Sequence, residues 1–200
     1  MTKHFTAIKN NCVERERLSD ILLLIVSVIW GVNLVAVKYL LNDLSPVNLI
    51  LVRFITGSLL LFLLLFFLED VKVPPRDIWR LTLLGAVGVA FYQFLFTFAL
   101  KYTSAVNVGI LINMSPIYGG FLSSLFGYEK FMKKRVFAII TGFAGVYILM
   151  TKGDPGFFMQ GDVAGNVLAL FASLFWALYT ILSKPLLEKH SPLKVTAYSM

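Results

Sequence analysis

Three basic side chains lie in or beside apolar stretches of this 200-residue chain. Lys38 and Arg53 stand inside two consecutive stretches, and Lys101 follows a third. Because burying a charge among apolar groups is costly, each is a candidate for binding a solute. Together they could form a basic vestibule that attracts an anionic or carboxylate-bearing solute. The alternative is structural: Lys38 extends its ammonium group to a polar boundary, and Arg53 pairs with Asp43 or caps helix carbonyls.

Two tryptophans lie at equivalent depths in the first and last apolar stretches. Trp30 stands ten residues past Asp20, and Trp176 is equally deep in its own stretch. Since tryptophan prefers the membrane–water interface, this depth indicates either a cavity wall or close helix packing. Asn33 lies on roughly the same helix face as Trp30, and its amide needs a neighbouring helix or a solute as partner. Tyr179, close to Trp176, is a further cavity candidate.

The fourth apolar stretch carries polar residues and a proline. Pro116 removes the hydrogen bond that would end on the carbonyl of Ile112. Kinked helices with freed carbonyls often line transport cavities, and a kink in a passive helix is the alternative. Asn113 on this stretch and Gln93 on the preceding one are amides that could join the same cavity.

Catalytic and metal-binding patterns are absent from the sequence. His4, His190 and the single cysteine, Cys12, all lie outside the apolar stretches. The sequence contains neither a phosphate-binding glycine loop nor a histidine-rich zinc motif. No carboxylate stands inside an apolar stretch to carry a proton, as in many proton-coupled carriers. We therefore expect no enzyme activity, no metal and no other cofactor.

The composition requires a membrane protein. Hydrophobic residues make up 58% of the chain and charged residues 14%, with a mean hydropathy of +0.80. A soluble domain carries about 25% charged residues, and a disordered chain has low hydrophobicity. Six apolar stretches approach or exceed the roughly 20 residues that a helix needs to cross a bilayer. They are residues 21–41, 47–68, 78–100, 105–126, 136–150 and 163–183. The predicted fold is an all-α polytopic membrane bundle of six transmembrane helices.

The distribution of positive charge predicts the orientation of these helices. Of the 18 lysines and arginines, 14 fall on the side of the N-terminus, whereas only Lys101 and Lys152 fall in the opposite loops. Cytoplasmic loops carry the excess of positive charge in multi-pass proteins. We therefore expect a multi-pass protein of the cell (inner or plasma) membrane with a cytoplasmic N-terminus. The net charge of +7 then follows from topology, and no nucleic-acid partner is needed.

The sequence contains an internal repeat. Residues 22–46 align with 168–192 at nine identical positions. The most informative matches are Trp30 with Trp176, Lys38 with Lys184, and Ser45-Pro46 with Ser191-Pro192. Because five predicted helices separate the copies, the second copy is inverted, as in many secondary transporters. We expect a tail at 1–19, a complete five-helix repeat at 20–151 and an incomplete second repeat at 162–200, with roughly 100 residues of that repeat beyond Met200.

Several short motifs extend this pattern along the chain. They are Trp30-Gly31-Val32-Asn33, Ala99-Leu100-Lys101-Tyr102-Thr103-Ser104-Ala105, Gly127-Tyr128-Glu129, Gly161-Asp162 and Trp176-Ala177-Leu178-Tyr179-Thr180. In this order and spacing, residues 20–200 resemble the EamA family of the drug/metabolite transporter superfamily. The resemblance implies ten helices in two inverted five-helix repeats, both termini in the cytoplasm, and movement of small metabolites, often outward. The chain departs from that pattern in lacking helices seven to ten.

The expected function is therefore transport of a small organic metabolite by alternating access. The candidate cavity residues are Trp30, Asn33, Lys38, Arg53, Gln93, Asn113, Pro116, Trp176 and Tyr179. The alternative is a truncated, non-transporting membrane fragment or a self-associating scaffold. The expected partners are a small-molecule solute and the lipid bilayer. A second copy or a separately encoded complementary half would cover polar groups of an incomplete repeat interface.

Overall fold

Every regular element in the described residues is a helix. The computed structural model describes residues 2–128, 133–151, 154, 156 and 162–200. The helices are α1 (Thr2–Leu40), α2 (Pro46–Leu68), α3 (Pro75–Leu84), α4 (Phe91–Tyr102), α5 (Ala105–Ile112), α6 (Ser115–Leu125), α7 (Lys133–Thr151), α8 (Val163–Leu187) and α9 (Pro192–Ser199). A π-helical segment, Gly85–Ala90, joins α3 to α4. The all-α class is confirmed. Glu129, Lys152 and Gly161, named above, lie outside the described residues.

Five helical stretches are long and apolar enough to cross a membrane. They are Arg17–Leu40, Pro46–Leu68, Pro75–Tyr102, Ala105–Leu125 and Val163–Leu187. They coincide with five of the six predicted stretches, with ends that differ by up to four residues. The remaining prediction, 136–150, lies within α7, which contains the shorter apolar helix Val136–Gly145. The chain is therefore a multi-pass membrane protein.

The chain divides into two units, Met1–Val37 and Lys38–Met200. The first unit consists of α1 up to Val37, and its helix begins at Thr2. The tail expected at 1–19 is thus helical and continuous with the first span. The physical reason is that no glycine or proline precedes Gly31, so nothing in the sequence interrupts the helix before that point.

In the second unit, both Ser-Pro pairs of the internal repeat begin a helix in the same way. The Ser45 side chain accepts a hydrogen bond from the backbone N–H of Asn48, and that of Ser191 accepts from the N–H of Lys194. Proline follows each serine at the first helical position, where its missing N–H is not needed. The two copies of the repeat therefore share one local structure at the start of α2 and of α9.

The fourth span is interrupted where the sequence predicted a kink. Helix α5 ends at Ile112, and α6 begins at Ser115, one residue before Pro116. Between them the backbone N–H of Asn113 bonds to the carbonyl of Ile110 and that of Met114 to Leu111. These bonds close tighter turns than an α-helix makes, so the regular α-helix is interrupted at this point.

The spans of the second unit run between two ends of the bundle. At the Pro75 end, where α3 begins, Ser191 after α8 bonds to Glu69 after α2. At the Thr103 end, where α4 ends, Asn166 at the start of α8 bonds to Thr103. Helix α8 therefore runs antiparallel to α3–α4. It is the central helix of the unit and packs against α4, α5 and α6.

Candidate functional site

Aromatic side chains of α4 and α8 meet inside the bundle. We call Tyr92, Phe96, Trp176 and Tyr179 the aromatic cluster. The ring centroid of Tyr92 lies 5.0 Å from that of Trp176 and 5.7 Å from that of Phe96, and Trp176 stacks on Tyr179 at 5.5 Å. These separations are typical of favourable aromatic pairs. The cluster gives α4 and α8 a continuous apolar wall with phenol and indole groups for hydrogen bonding.

Glycine residues let the two helices approach at this point. A Cβ atom on Gly88 would lie 2.4 Å from Cβ of Tyr179, so any larger residue would displace the tyrosine. Gly88 lies in the π-helical segment just before Tyr92. Such segments are rare and often found at functional sites. Trp176 lies about 20 Å along the 25-residue α8, at 1.5 Å per residue, which places the cluster near the middle of the span.

Arg53 approaches the aromatic cluster from α2. It lies seven residues after Pro46, or about 10 Å into that helix from the Thr103 end. Its side chain is half-buried and close enough to Tyr92 for the two groups to interact electrostatically. A guanidinium group beside aromatic rings offers five donors in a planar array that matches a carboxylate. The region between α2, α4 and α8 thus combines a cationic donor with an aromatic wall.

Lys38 lies elsewhere, at the Thr103 end. Its Nζ donates to the carbonyl oxygens of Leu100, at 2.6 Å, and Thr103, at 2.9 Å. These carbonyls end α4, so the ammonium group caps the C-terminus of that helix and neutralises its dipole. This contact gives Lys38 a structural role. A role of Lys38 in binding a solute stays a prediction.

The other predicted cavity residues are dispersed. Gln93, next to Tyr92, donates to Thr97 Oγ1 of its own helix at 3.4 Å. Asn113 is exposed and donates to the Gly109 carbonyl of α5 at 2.7 Å, beside the interruption that precedes Pro116. Trp30 and Asn33 belong to the unit Met1–Val37. Among the predicted residues, Trp176 and Tyr179 belong to the aromatic cluster, Arg53 lies near Tyr92 of that cluster, and Gln93 follows Tyr92 in sequence.

A buried polar group holds the Thr103 end together. We call Thr103, Asn107 and Asn166 the turn clamp. Thr103 Oγ1 donates to Asn166 Oδ1 at 2.9 Å, and Asn107 Nδ2 contacts both oxygens at 3.1 and 3.2 Å. Thr103 is 3% exposed and Asn107 2%. Gly165 permits this contact, because a Cβ there would lie 2.8 Å from Thr103. The clamp joins α5 and α8 through uncharged groups.

Ionisable groups join the chain at the opposite, Pro75 end. We call Glu69, Asp77, His190 and Ser191 the loop latch. Ser191 Oγ donates to Glu69 Oε2, and His190 Nε2 lies 3.0 Å from Asp77 Oδ2, within hydrogen-bonding distance. The side chains of His190 and Asp77 are 10% and 11% exposed. The latch connects Glu69, between α2 and α3, and Asp77, on α3, to the segment between α8 and α9.

Sequence reasoning missed most of these end contacts. The Ser-Pro repeat drew attention to Ser191, but no spacing in the sequence indicates that Glu69, Asp77 or Asn166 bonds to a residue more than 60 positions away. The sequence contains a partial indication of the turn clamp. Asn107 is an amide in an apolar helix, and such a side chain needs a hydrogen-bond partner. Within the described ranges, no cluster of histidine, cysteine or carboxylate groups is arranged to hold a metal.

The fold and the site define a class of protein: a polytopic helical membrane protein with a polar and aromatic region inside its bundle. The profile of the EamA-like transporter family matches residues 17–151, more than half of the chain. The chain belongs to the EamA-like transporter family. That family consists of membrane transporters and not of enzymes.

Curated relatives agree with this family. An uncharacterized transporter of Archaeoglobus fulgidus is 33% identical over 90% of this chain and 62% of its own length. An uncharacterized transporter of Bacillus subtilis is 28% identical over 90% of this chain and 60% of its own. A probable amino-acid metabolite efflux pump of Salmonella typhimurium is 30% identical over 88% and 56%. The chain thus spans about 60% of the length of these relatives. No solved structure matches it.

Proposed function

We propose that this protein moves a small organic metabolite across the membrane by alternating access, with its solute bound between α2, α4 and α8. The observation that carries the proposal is the position of Arg53 near Tyr92, whose ring packs on Trp176 near mid-span. Secondary transporters bind their solutes near the bilayer midplane. A cation inside a span is expensive to maintain, which favours a functional role for Arg53.

The proposed architecture has six crossings, with α7 as the fifth. Helix α6 ends at the Pro75 end, where Ser123 lies 3.5 Å from Lys184, whereas α8 begins at the Thr103 end. The chain between them must return across the bundle. Helix α7 contacts both α5 and α6, and its 19 residues span about 28 Å. A fifth crossing by α7 would let α8 begin at the Thr103 end, as an inverted repeat predicts.

The solute class follows from the chemistry of the region. Arg53 suits a carboxylate, and the aromatic cluster suits an apolar or aromatic body. The name of the Salmonella typhimurium relative makes amino-acid metabolites the first solutes to test. The same name makes efflux the first direction to test.

The other half of the transport pathway is expected from a second five-helix repeat. Because the chain spans about 60% of its relatives' length, that half would come from further residues, a second copy or a complementary subunit. A non-transporting fragment or scaffold is the competing function. It predicts stable membrane insertion without solute flux, so a flux measurement separates the two.

Flux of a radiolabelled amino-acid panel in proteoliposomes tests the proposal. Arg53→Gln should lower flux at least tenfold while the protein still inserts, because the variant keeps the polar shape and removes the charge. Arg53→Lys, which keeps the charge but loses the planar donor array, should retain an intermediate flux. Wild-type flux unchanged by Arg53→Gln would contradict the assigned site. Inserted wild-type protein without flux of any solute would favour the scaffold.

A further inference from the structure

We propose that the loop latch is a gate that opens and closes during the transport cycle, whereas the turn clamp stays closed throughout. The inference rests on the proposed function, since a gate has meaning only for a carrier. The packing between α3–α4 and α8 would therefore open at the latch end and stay closed at the clamp end. Alternating access requires that contacts at one end break while the solute region stays assembled.

The latch has the chemistry of a contact that water can replace. Glu69 and Asp77 are carboxylates, and their partners Ser191 and His190 lie on the segment between α8 and α9. Ionised groups near a boundary regain strong hydration when they separate. Tyr198 on α9, which donates to the Val71 carbonyl at 2.7 Å, adds a contact with the segment between α2 and α3. Opening therefore exchanges a few polar bonds for bonds to water.

Basic residues near the latch compensate the negative charge of Asp77 when the latch opens. Arg80 lies 3.9 Å from Asp77 on the same helix, and Lys189 adjoins His190. Asp77 thus keeps a cationic neighbour on α3 when His190 moves away. The carboxylate is not left without compensation in the open state, which lowers the barrier to breaking the contact with His190.

The clamp has the opposite character. Thr103, Asn107 and Asn166 are uncharged, and Thr103 and Asn107 are almost fully buried. Separating them would expose unsatisfied amide and hydroxyl groups within the helix packing, at a high cost in free energy. Gly165 brings the backbone of α8 against Thr103, so the contact also has close steric fit. These properties favour a permanent joint.

Helix α8 has a flexible point on the latch side of the aromatic cluster. Pro185 lies inside the helix, six residues after Tyr179 and five before His190. A proline removes one helical hydrogen bond and permits bending at that position. The part of α8 that carries Trp176 can therefore stay attached through the clamp while its end moves with the latch.

Spin-label distances in the full chain test this without knowledge of the solute. In a Cys12→Ser background, labels at the exposed positions Lys72 and Lys189 report on the latch, and labels at Lys101 and Val163 report on the clamp. Removing both carboxylates with Glu69→Gln and Asp77→Asn should shift the latch pair to a longer distance. The clamp pair should keep its distance. The matched control is Glu188→Gln, an exposed carboxylate outside the latch.

Two results would overturn the inference. If the latch pair keeps its distance in the doubly neutralised variant, the latch is not a gate. If both label pairs lengthen together, the clamp is not a permanent joint. Both outcomes are read from distances alone, so they differ from a failure of the proposed function, which appears as absence of flux in the wild-type protein.

Cross-linking then connects the gate to transport. A short bifunctional thiol reagent that bridges E69C and S191C should lower flux at least tenfold, and a reducing agent should restore it. The same reagent across T103C and N166C should leave flux within twofold of the value before cross-linking. Equal loss of flux at both ends, or none at the latch, would contradict the separate roles.

Discussion

At the scale of single residues, lysines at equivalent positions of the internal repeat make different contacts. Lys38 and Lys184 are equivalent in the internal repeat, yet Lys38 caps α4 through two carbonyls. Lys184 instead lies 3.5 Å from Ser123 Oγ and 5.6 Å from the ring centroid of Tyr128. Equivalent positions in a repeat thus acquire partners from their surroundings, and a role cannot be transferred between them by alignment alone.

The cap formed by Lys38 predicts a change in stability. Lys38→Met should lower the free energy of unfolding by about 1–3 kcal/mol, because two carbonyls at the end of α4 lose a charged donor. Thermal unfolding in detergent measures this. Lys101→Met, at the neighbouring exposed lysine, should change stability by less than about 0.5 kcal/mol.

The same variant discriminates between the two roles considered for Lys38. If the ammonium group is structural, flux per folded molecule should equal that of the wild type. Unchanged stability with reduced flux would instead assign Lys38 to the solute.

At the scale of elements, the contact between the π-helical segment and α8 determines where the aromatic cluster forms. Gly85 and Gly88 are buried in this segment, and a Cβ on Gly88 would lie 2.4 Å from Cβ of Tyr179 on α8, whereas Gly85 faces Ser199 on α9. Small residues at such positions allow backbones to approach closely in membrane bundles. The close approach brings Tyr92 on the following helix against Trp176 on α8.

Gly88→Ala should disturb this contact. The added methyl group would overlap Tyr179, and overpacking of this kind costs about 1–3 kcal/mol. The expected result is a lower unfolding temperature and reduced flux, since Tyr179 must move. Gly119→Ala on α6 is the control, because nothing lies within 4 Å of a Cβ there. A control variant as unstable as Gly88→Ala would show that the tyrosine contact is not the cause.

At the scale of the whole molecule, the direction of each span is the property on which the transporter architecture depends. The end contacts establish that α8 runs against α3–α4. The predicted orientation puts the Pro75 end in the cytoplasm, where loop charge is concentrated. If α7 crosses the membrane, the segment after Thr151 would lie at the Thr103 end of the bundle.

Cysteine labelling in sealed vesicles tests this topology. In a Cys12→Ser background, cysteines replacing Asp154 and Lys101 should react with an impermeant maleimide from one side of the membrane. A cysteine replacing Lys72 should react only from the other side. Asp154→Cys labelled from the same side as Lys72→Cys would rule out a crossing by α7.

Local features were predictable because they depend on neighbours in sequence. Apolar stretches of sufficient length must be helical in a bilayer, since every backbone polar group needs an internal partner. The interruption at Pro116 and the helix starts at Ser45 and Ser191 follow from the chemistry of proline and of serine caps. The helix through residues 2–19 was not among the predicted elements, because polar composition alone does not end a helix that lacks glycine and proline.

The sequence alone determined the membrane class, the positions of five spans, the family motifs and the candidates Arg53, Trp176 and Tyr179. Only the tertiary structure decided that Tyr92 packs on Trp176 with Arg53 nearby, that Lys38 caps α4, and that Glu69, Asp77 and Asn166 bond across the bundle. The reason is physical. Spans and serine caps are set by interactions within a few residues, whereas these contacts join residues far apart in the sequence and depend on how α2, α3–α4 and α8 pack.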